Sequence, residues 1–270
     1  MTEMPEVEIL VRGLREHVVG RTFQTAEVLL PAAVRFPDVP EFSARLAGCV
    51  VTSAERRAKY VLLGLSDELL LGLHMMLWGT LRLAPAAEPR PPHTLITWRL
   101  DRDEELRLID QLGYARAALG TPEVVSQGLG LNLLGPEALD PGFDVAALAR
   151  QIGRRRGVLK SLLLNQRVLA GLGNRDADES LWLAGIDPRR SAATLTDDEL
   201  ARLHAGIREM LTEGIAQGGT QRDLLGRKGR ARHRRHIFER TGLPCPRCGT
   251  AIAITRLGGR RTHYCPGCQK

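Results

Sequence analysis

The chain has 270 residues, 43% of them hydrophobic and only 4% aromatic, so it is long enough for two domains whose core must be built mostly from Leu, Val and Ala. Its formal net charge of +7 and pI near 9.6 favour polyanionic partners, nucleic acid above all. No apolar run approaches the roughly 18 residues of a membrane span, and the acidic start, Met1 to Glu6, has no apolar stretch of a secretory signal. The expected setting is the cytoplasm, without a membrane partner.

In chain order, the first predicted element is a helix over 6–19, with Val7, Leu10, Leu14 and Val18 on one face and Pro5 in its first turn. From Arg21 to about Leu119 the pattern shortens to β-like runs at 25–30, 59–65, 69–77 and 94–100, with turn signals such as Ser66-Asp67 between them. A β-sandwich behind one leading helix accounts for this half. Cys49, in an apolar strand-like run over 46–51, reads as a core residue. Leu134-Gly135-Pro136 and Asp140-Pro141-Gly142 punctuate a domain boundary.

The second half is helical, with helices predicted over 145–154, 159–165, 177–184 and 197–217. Thr196 and Glu199 have the spacing of a capping box for the last of them. Between the second and third runs Val168 to Asn174, with Gly171 and Gly173, forms a short turn. Its free amides, beside a helix start, can serve either as an anion site or as an ordinary packed turn. From Arg222 to Arg240 eight Lys or Arg face only Asp223 and Glu239, which suits a flexible basic stretch against a phosphate backbone.

The most specific signal is at the end of the chain. Cys245-Pro-Arg-Cys248 and Cys265-Pro-Gly-Cys268 are two C-x-x-C knuckles separated by residues 249–264, enough for a β-hairpin turning at Gly258-Gly259. Four cysteines close a tetrahedral shell, so Cys245, Cys248, Cys265 and Cys268 are read as ligands of one structural Zn2+. Two disulfides are the rival reading, and a chain without a secretory signal argues against them.

Together these pieces resemble the formamidopyrimidine-DNA glycosylase and endonuclease VIII family of base-excision repair enzymes. The resemblance spans the chain: Glu3-Met4-Pro5-Glu6-Val7-Glu8, Arg56-Arg57-Ala58-Lys59-Tyr60, His74 to Gly79 read as a strand, Leu134-Gly135-Pro136-Glu137, Leu163 to Glu179, Gly218-Gly219-Thr220, and Thr241 through Lys270. It implies an α+β fold in three parts: a β-sandwich over 1–133, a helix–two-turn–helix domain over 134–236 and a zinc finger over 237–270. It also implies a monomer acting on damaged double-stranded DNA held in a cleft, in the cytoplasm or on the nucleoid. The implied substrates are oxidised bases of the formamidopyrimidine and 8-oxoguanine type. The base is flipped out of the duplex, the N-terminal amine attacks the deoxyribose C1′, and elimination from the resulting Schiff base cuts the strand.

Carried onto this sequence, the family pattern makes Thr2 the nucleophile and Glu3 the acid that protonates the opening sugar. Lys59 and Arg260 would assist elimination at the phosphates, and His93, Arg155, Lys160 and Asn174 would contact the DNA backbone. Leu77, Leu112 and Tyr114 would fill the hole left by the flipped base. The departures are informative. The family's nucleophile is usually proline; Thr2 would offer a primary amine with an ordinary pKa of ~8 once Met1 is removed, and its imine must be protonated to be an equal electron sink. Arg175-Asp176 replaces the usual Ile-Tyr. The segment over 224–236 is short and arginine-rich where the family places a loop over the flipped lesion. Two rivals follow from these departures: a damaged-DNA-binding protein without catalysis, and a lyase restricted to abasic or crosslinked DNA.

Overall fold

A computed structural model describes residues 2–153 and 155–270. The chain divides into two compact units, Met1–Asn132 with Gln217–Arg230, and Leu133–Ala216 with Ala231–Lys270.

In the first unit, helix α1 (Met4–His17) begins earlier than its hydrophobic period suggests because the start is capped locally. Glu3 and Glu6 form a capping box in which the Glu6 carboxylate accepts the Glu3 N–H at 2.9 Å, and Pro5 needs no amide partner in the first turn. Strands β1 (Phe23–Val28) and β2 (Val34–Phe36) follow, then helix α2 (Val39–Leu46), which corrects the expectation of an all-strand stretch there. Asp38 caps α2 by accepting the Glu41 N–H at 2.9 Å, and the helix buries Phe42 and Leu46. Cys49 is therefore not in a strand but just beyond a helix; it is nonetheless buried in the core, as read.

Seven more strands complete the unit: β3 (Val51–Arg57), β4 (Tyr60–Leu65), β5 (Leu70–His74), β6 (Thr80–Pro85), β7 (Thr94–Leu100), β8 (Glu104–Ile109) and β9 (Arg116–Gly120), followed by helix α3 (Pro122–Leu129). They form a four-stranded sheet in the order β1-β7-β8-β6 and a five-stranded sheet in the order β2-β9-β5-β4-β3. One apolar core joins both sheets and α1: Val61, Leu63 and Leu73 from one sheet, Leu81, Trp98 and Leu106 from the other, Val7, Leu10 and Leu14 from the helix. This is the anticipated sandwich with its leading helix. Leu224, from the returning segment, belongs to the same core.

The second unit contains α4 (Val145–Ile152), α5 (Leu159–Leu163), α6 (Asn174–Ala184) and α7 (Asp197–Ala216), then the hairpin β10 (Ala253–Leu257) and β11 (Arg260–Tyr264). The helix predicted over 145–154 ends at Ile152 in the described residues, and Arg154 lies outside them. The capping box of α7 is present: the Thr196 N–H donates to Glu199 at 2.9 Å and the Glu199 N–H to the Thr196 hydroxyl at 3.3 Å. In the hairpin Leu257 pairs with Arg260 around Gly258-Gly259, both with positive φ (53° and 75°), as a tight two-residue turn matching the strand twist requires. Among the described residues no helix is long and apolar enough to cross a membrane.

Candidate functional site

Thr2 is 3% exposed and is held by three hydrogen bonds. Its N–H donates to the Leu77 carbonyl at 2.8 Å, its hydroxyl donates to the Gly79 carbonyl at 2.9 Å, and the same hydroxyl accepts from Gln221 Nε2 at 2.8 Å. Glu3 beside it is fully buried. The stretch that docks Thr2 is a tight turn rather than the end of a strand: β5 stops at His74, Met76 has a φ of 53°, and the Gly79 N–H closes onto the Met75 carbonyl at 2.9 Å. A Cβ at Gly79 would meet that carbonyl oxygen at 2.4 Å, which accounts for the glycine. The strand expected over 69–77 thus runs three residues past the end of β5, because the apolar run continues through the turn. Leu77 is half-buried there, between the exposed side chains of Met76 and Trp78.

Lys59 lies in the two-residue loop between β3 and β4, next to Ala58 with its φ of 51°, and not in a strand. The loop is braced by Arg56, which donates to the Ala58 carbonyl at 3.2 Å and to Glu8 of α1 at 2.9 Å. Tyr60, which follows Lys59, pairs with His74 across β4 and β5, and their rings lie 4.4 Å apart. Burial, aided by the Lys59 charge, pushes the His74 imidazole down to about 4, so this ring is neutral where Lys59 is cationic. The turn that carries Leu77 therefore joins the docking site of Thr2 to a strand end adjacent to Lys59.

Leu112 and Tyr114 are 47% and 49% exposed, so they are not core residues. Their loop is shaped by buried Asp110, whose carboxylate accepts the N–H groups of Leu112 (3.1 Å), Tyr114 (2.8 Å) and Ala115 (2.9 Å). His93 is exposed, with a φ of 65°, and its carbonyl accepts the Asp110 N–H at 3.1 Å. It therefore sits at the root of the same loop.

In the second unit, the glycine turn is sewn by Gln166, which accepts the Gly171 N–H at 2.9 Å and donates to the Leu164 and Leu172 carbonyls, both at 3.0 Å. Asn174 opens α6 and donates to the Arg261 carbonyl at 3.0 Å. Arg260, one residue before that carbonyl, is exposed at the start of β11. Arg155 is also exposed, just beyond α4, donating to the Gln151 carbonyl at 2.7 Å.

Lys160, expected to contact the DNA backbone, points inward instead. Its side chain is completely buried, paired with the equally buried Asp178 at 2.6 Å. Its ammonium also donates to the Arg261 carbonyl and the Thr262 hydroxyl, each at 2.9 Å. A phosphate cannot reach it, and its role is to tie α5, α6 and the hairpin together. Helix α6 carries further acidic groups inward. Asp178 accepts the His263 N–H at 2.8 Å, and Glu179 accepts the N–H groups of His236, Ile237 and Phe238 at 2.8–3.1 Å. Arg175 and Asp176 are buried as an ion pair of 2.8 Å. Two parts of the basic stretch are held by hydrogen bonds. Asp223 accepts from Leu225 and Arg227, Arg222 bridges to Lys228, and Glu179 holds 236–238.

The four cysteines of the two knuckles bring their sulfurs within 4.8 Å of one another. Cys245 and Cys268 are 3.8 Å apart and Cys248 and Cys265 are 3.4 Å apart. Disulfide bonding needs about 2.05 Å, whereas tetrahedral Zn–S bonds of about 2.3 Å place sulfurs near 3.8 Å. The set fits one structural zinc ion. Trp182 donates its indole N–H to Cys245 at 3.3 Å, the kind of outer contact that orients a ligand. Although burial alone would raise the Cys245 thiol, this bond and neighbouring amides bring it down to about 6, whereas burial and the neighbouring thiols push Cys268 up to about 12.

With this geometry in place, the sequence matches known proteins along its length. Residues 1–117 match the formamidopyrimidine-DNA glycosylase N-terminal domain, residues 134–224 its H2TH domain, and residues 242–270 the zinc finger found in FPG and IleRS. The formamidopyrimidine-DNA glycosylase of Moorella thermoacetica is 43% identical over 260 residues, 95% of each chain. The chain belongs to the formamidopyrimidine-DNA glycosylase family. The Lactococcus lactis Fpg in complex with abasic-site DNA superposes with a TM-score of 0.92 at 31% identity, covering 99% of both chains. The same enzyme bound to Fapy-dG DNA gives the same score and identity over 99% of this chain.

Several residues of this family member were not singled out from sequence as parts of the site: Glu8, which braces the Lys59 loop; Asp110, which shapes the 110–115 loop; and Gln221, which reaches Thr2 from the far end of the chain. A buried Asp two residues before an exposed apolar pair and a glycine could have been found as a turn-former. Nothing local marks Gln221.

Proposed function

We propose that this chain is a base-excision DNA glycosylase with abasic-site lyase activity, acting on oxidised bases of the formamidopyrimidine and 8-oxoguanine type in double-stranded DNA. After removal of Met1, the Thr2 amine attacks C1′ of the flipped nucleotide, the damaged base leaves with the C1′–N bonding pair and takes up a proton, and Glu3 protonates O4′ as the sugar opens to the imine. Lys59 and Arg260 assist elimination at the flanking phosphates. Asn174 with Arg260 forms a phosphate clamp, and His93 and Arg155 add backbone contacts. Leu112 and Tyr114, with Leu77, occupy the space vacated by the base; such apolar wedges replace stacking but give the orphaned base few hydrogen bonds.

The observation that carries this reading is the docking of Thr2, whose nitrogen and hydroxyl are both fixed on the turn bearing Leu77. Chemically, a primary amine near its ordinary pKa of ~8 is partly unprotonated at neutral pH and condenses with a sugar aldehyde. At an abasic aldehyde water leaves as the imine forms; the protonated imine then takes up the electron pair of the C2′–H bond as that proton is removed, and the 3′-phosphate departs with the C3′–O pair, cutting the strand. Borohydride should trap the chain covalently on abasic duplex DNA, with the adduct mapping to residue 2. Glu3→Gln should abolish base release while leaving duplex affinity within twofold. Absence of any adduct and of any base release by the wild-type protein, with damaged duplex still bound, would replace this reading with that of a non-catalytic damage-binding protein.

A further inference from the structure

Gln221 has no assigned part in the chemistry, yet it touches the residue proposed to start it. We propose that Gln221 and the Thr2 hydroxyl form a positioning lock that holds the attacking amine, doing for threonine what a pyrrolidine ring does for proline. The inference rests on the reading of Thr2 as the nucleophile.

The first residues of a chain fray unless tied down, and a threonine amine has free torsions on both sides where proline's ring constrains one of them. A hydroxyl has one donor and two acceptor sites. The Thr2 hydroxyl uses both kinds at once, donating to the Gly79 carbonyl at 2.9 Å and accepting from Gln221 Nε2 at 2.8 Å. The nitrogen makes its own bond to the Leu77 carbonyl. Cα is thereby held from both the side chain and the main chain, and the direction of the amine is set.

The lock is only as firm as the segment that carries Gln221, and that segment is anchored on all sides. Next to it, the Thr220 N–H and hydroxyl both donate to Glu6 at 2.8 Å. The Gln221 carbonyl accepts the Gly229 N–H at 2.8 Å, and the Arg230 N–H donates to the Gln217 carbonyl at 2.7 Å. Leu224 is buried at 1% exposure, its carbonyl accepts the Leu83 N–H at 2.8 Å, and it fills the space above Gly13 so closely that a Cβ there would meet its own at 2.8 Å. Glu6 completes the circuit, since the carboxylate that caps the helix start beside Thr2 also holds Thr220. A side chain on a rigid base loses little entropy in making its bond.

The test is a set of variants scored by single-turnover borohydride trapping on abasic duplex DNA. Gln221→Ala should slow trapping about tenfold, the equivalent of one neutral hydrogen bond at ~1.4 kcal/mol, and Thr2→Val, which keeps the branched shape but loses the bonds to both Gln221 and Gly79, should slow it at least as much. The double variant should be no slower than Thr2→Val alone. Gln221→Glu, similar in size but an acceptor only when ionised, should lose as much as Gln221→Ala. Affinity for the abasic duplex should stay within twofold throughout. In a Thr2→Pro background, where Gln221 has no hydroxyl to meet, Gln221→Ala should change trapping by less than twofold. Wild-type trapping rates in Gln221→Ala overturn the lock alone. So does an equal loss in the Thr2→Pro background, which would mark Gln221 as merely structural. A wild-type protein that forms no adduct at residue 2 overturns the lock together with the reading on which it rests.

Discussion

Lys160 offers the most direct test of how this structure departs from expectation. Lys160→Met removes the ammonium but keeps an unbranched apolar side chain of similar length. Asp178, with no exposed surface, would retain the His263 N–H at 2.8 Å but lose its countercharge at 2.6 Å. The Thr262 hydroxyl and the Arg261 carbonyl would each lose a donor at 2.9 Å. Removing one partner of a fully buried pair leaves an uncompensated charge and costs roughly 3–5 kcal/mol. Neutralising the survivor with Asp178→Asn in the same chain should recover about half of that loss, because the amide oxygen can still accept from His263. Urea unfolding followed by tryptophan fluorescence reads the stability. The dependence of duplex affinity on salt reads the alternative, since a lysine that contacts a phosphate contributes about 0.9 to the slope of log affinity against log salt. The expected result is a large stability loss with an unchanged slope. Stability within about 1 kcal/mol of wild type, with the slope reduced by about one, would refute the structural assignment.

Two further outcomes follow from the first unit. Asp110→Ala leaves the N–H groups of Leu112, Tyr114 and Ala115 without their carboxylate, so the loop should loosen; affinity for abasic duplex should fall about tenfold. Hydrogen exchange should rise over 111–115 and not elsewhere, and an unchanged exchange pattern would remove Asp110 from this role. His74 is pushed from 6.5 to about 4 by burial and by Lys59, so the unfolded chain takes up this proton before the folded one does. Its contribution is fully present above pH 6.5 and is lost as pH falls from there to about 4, a span worth up to about 3 kcal/mol. His74→Phe should flatten the stability profile over that window, and a profile parallel to wild type would show that the proton is taken up elsewhere.

Where the controlling interactions are local, the sequence was legible. The two C-x-x-C knuckles, the diglycine between them and the Thr196–Glu199 box all act within a few residues, and each is found where its spacing places it. Strand ends were less legible. The apolar run after His74 reads as more strand, but the Met76 conformation and the Gly79 closure turn it, and those depend on packing no period reveals. Helix α2 was missed because eight residues carrying a proline and only two buried side chains show too little periodicity to stand out.

The capped start of α1, the order of the motifs and the zinc module were thus determined by the sequence itself, since covalent spacing and short-range hydrogen bonding suffice for them. What the tertiary structure alone decided is which charges face inward. Lys160 was expected to contact the DNA backbone and nothing local marks Asp178 or Glu179 as inward-facing, yet each is buried against a partner from a distant segment. Gln221 meets Thr2 across 219 positions. A polar side chain is buried only when its partner is in place, and a partner so far away along the chain exists only once the chain has folded.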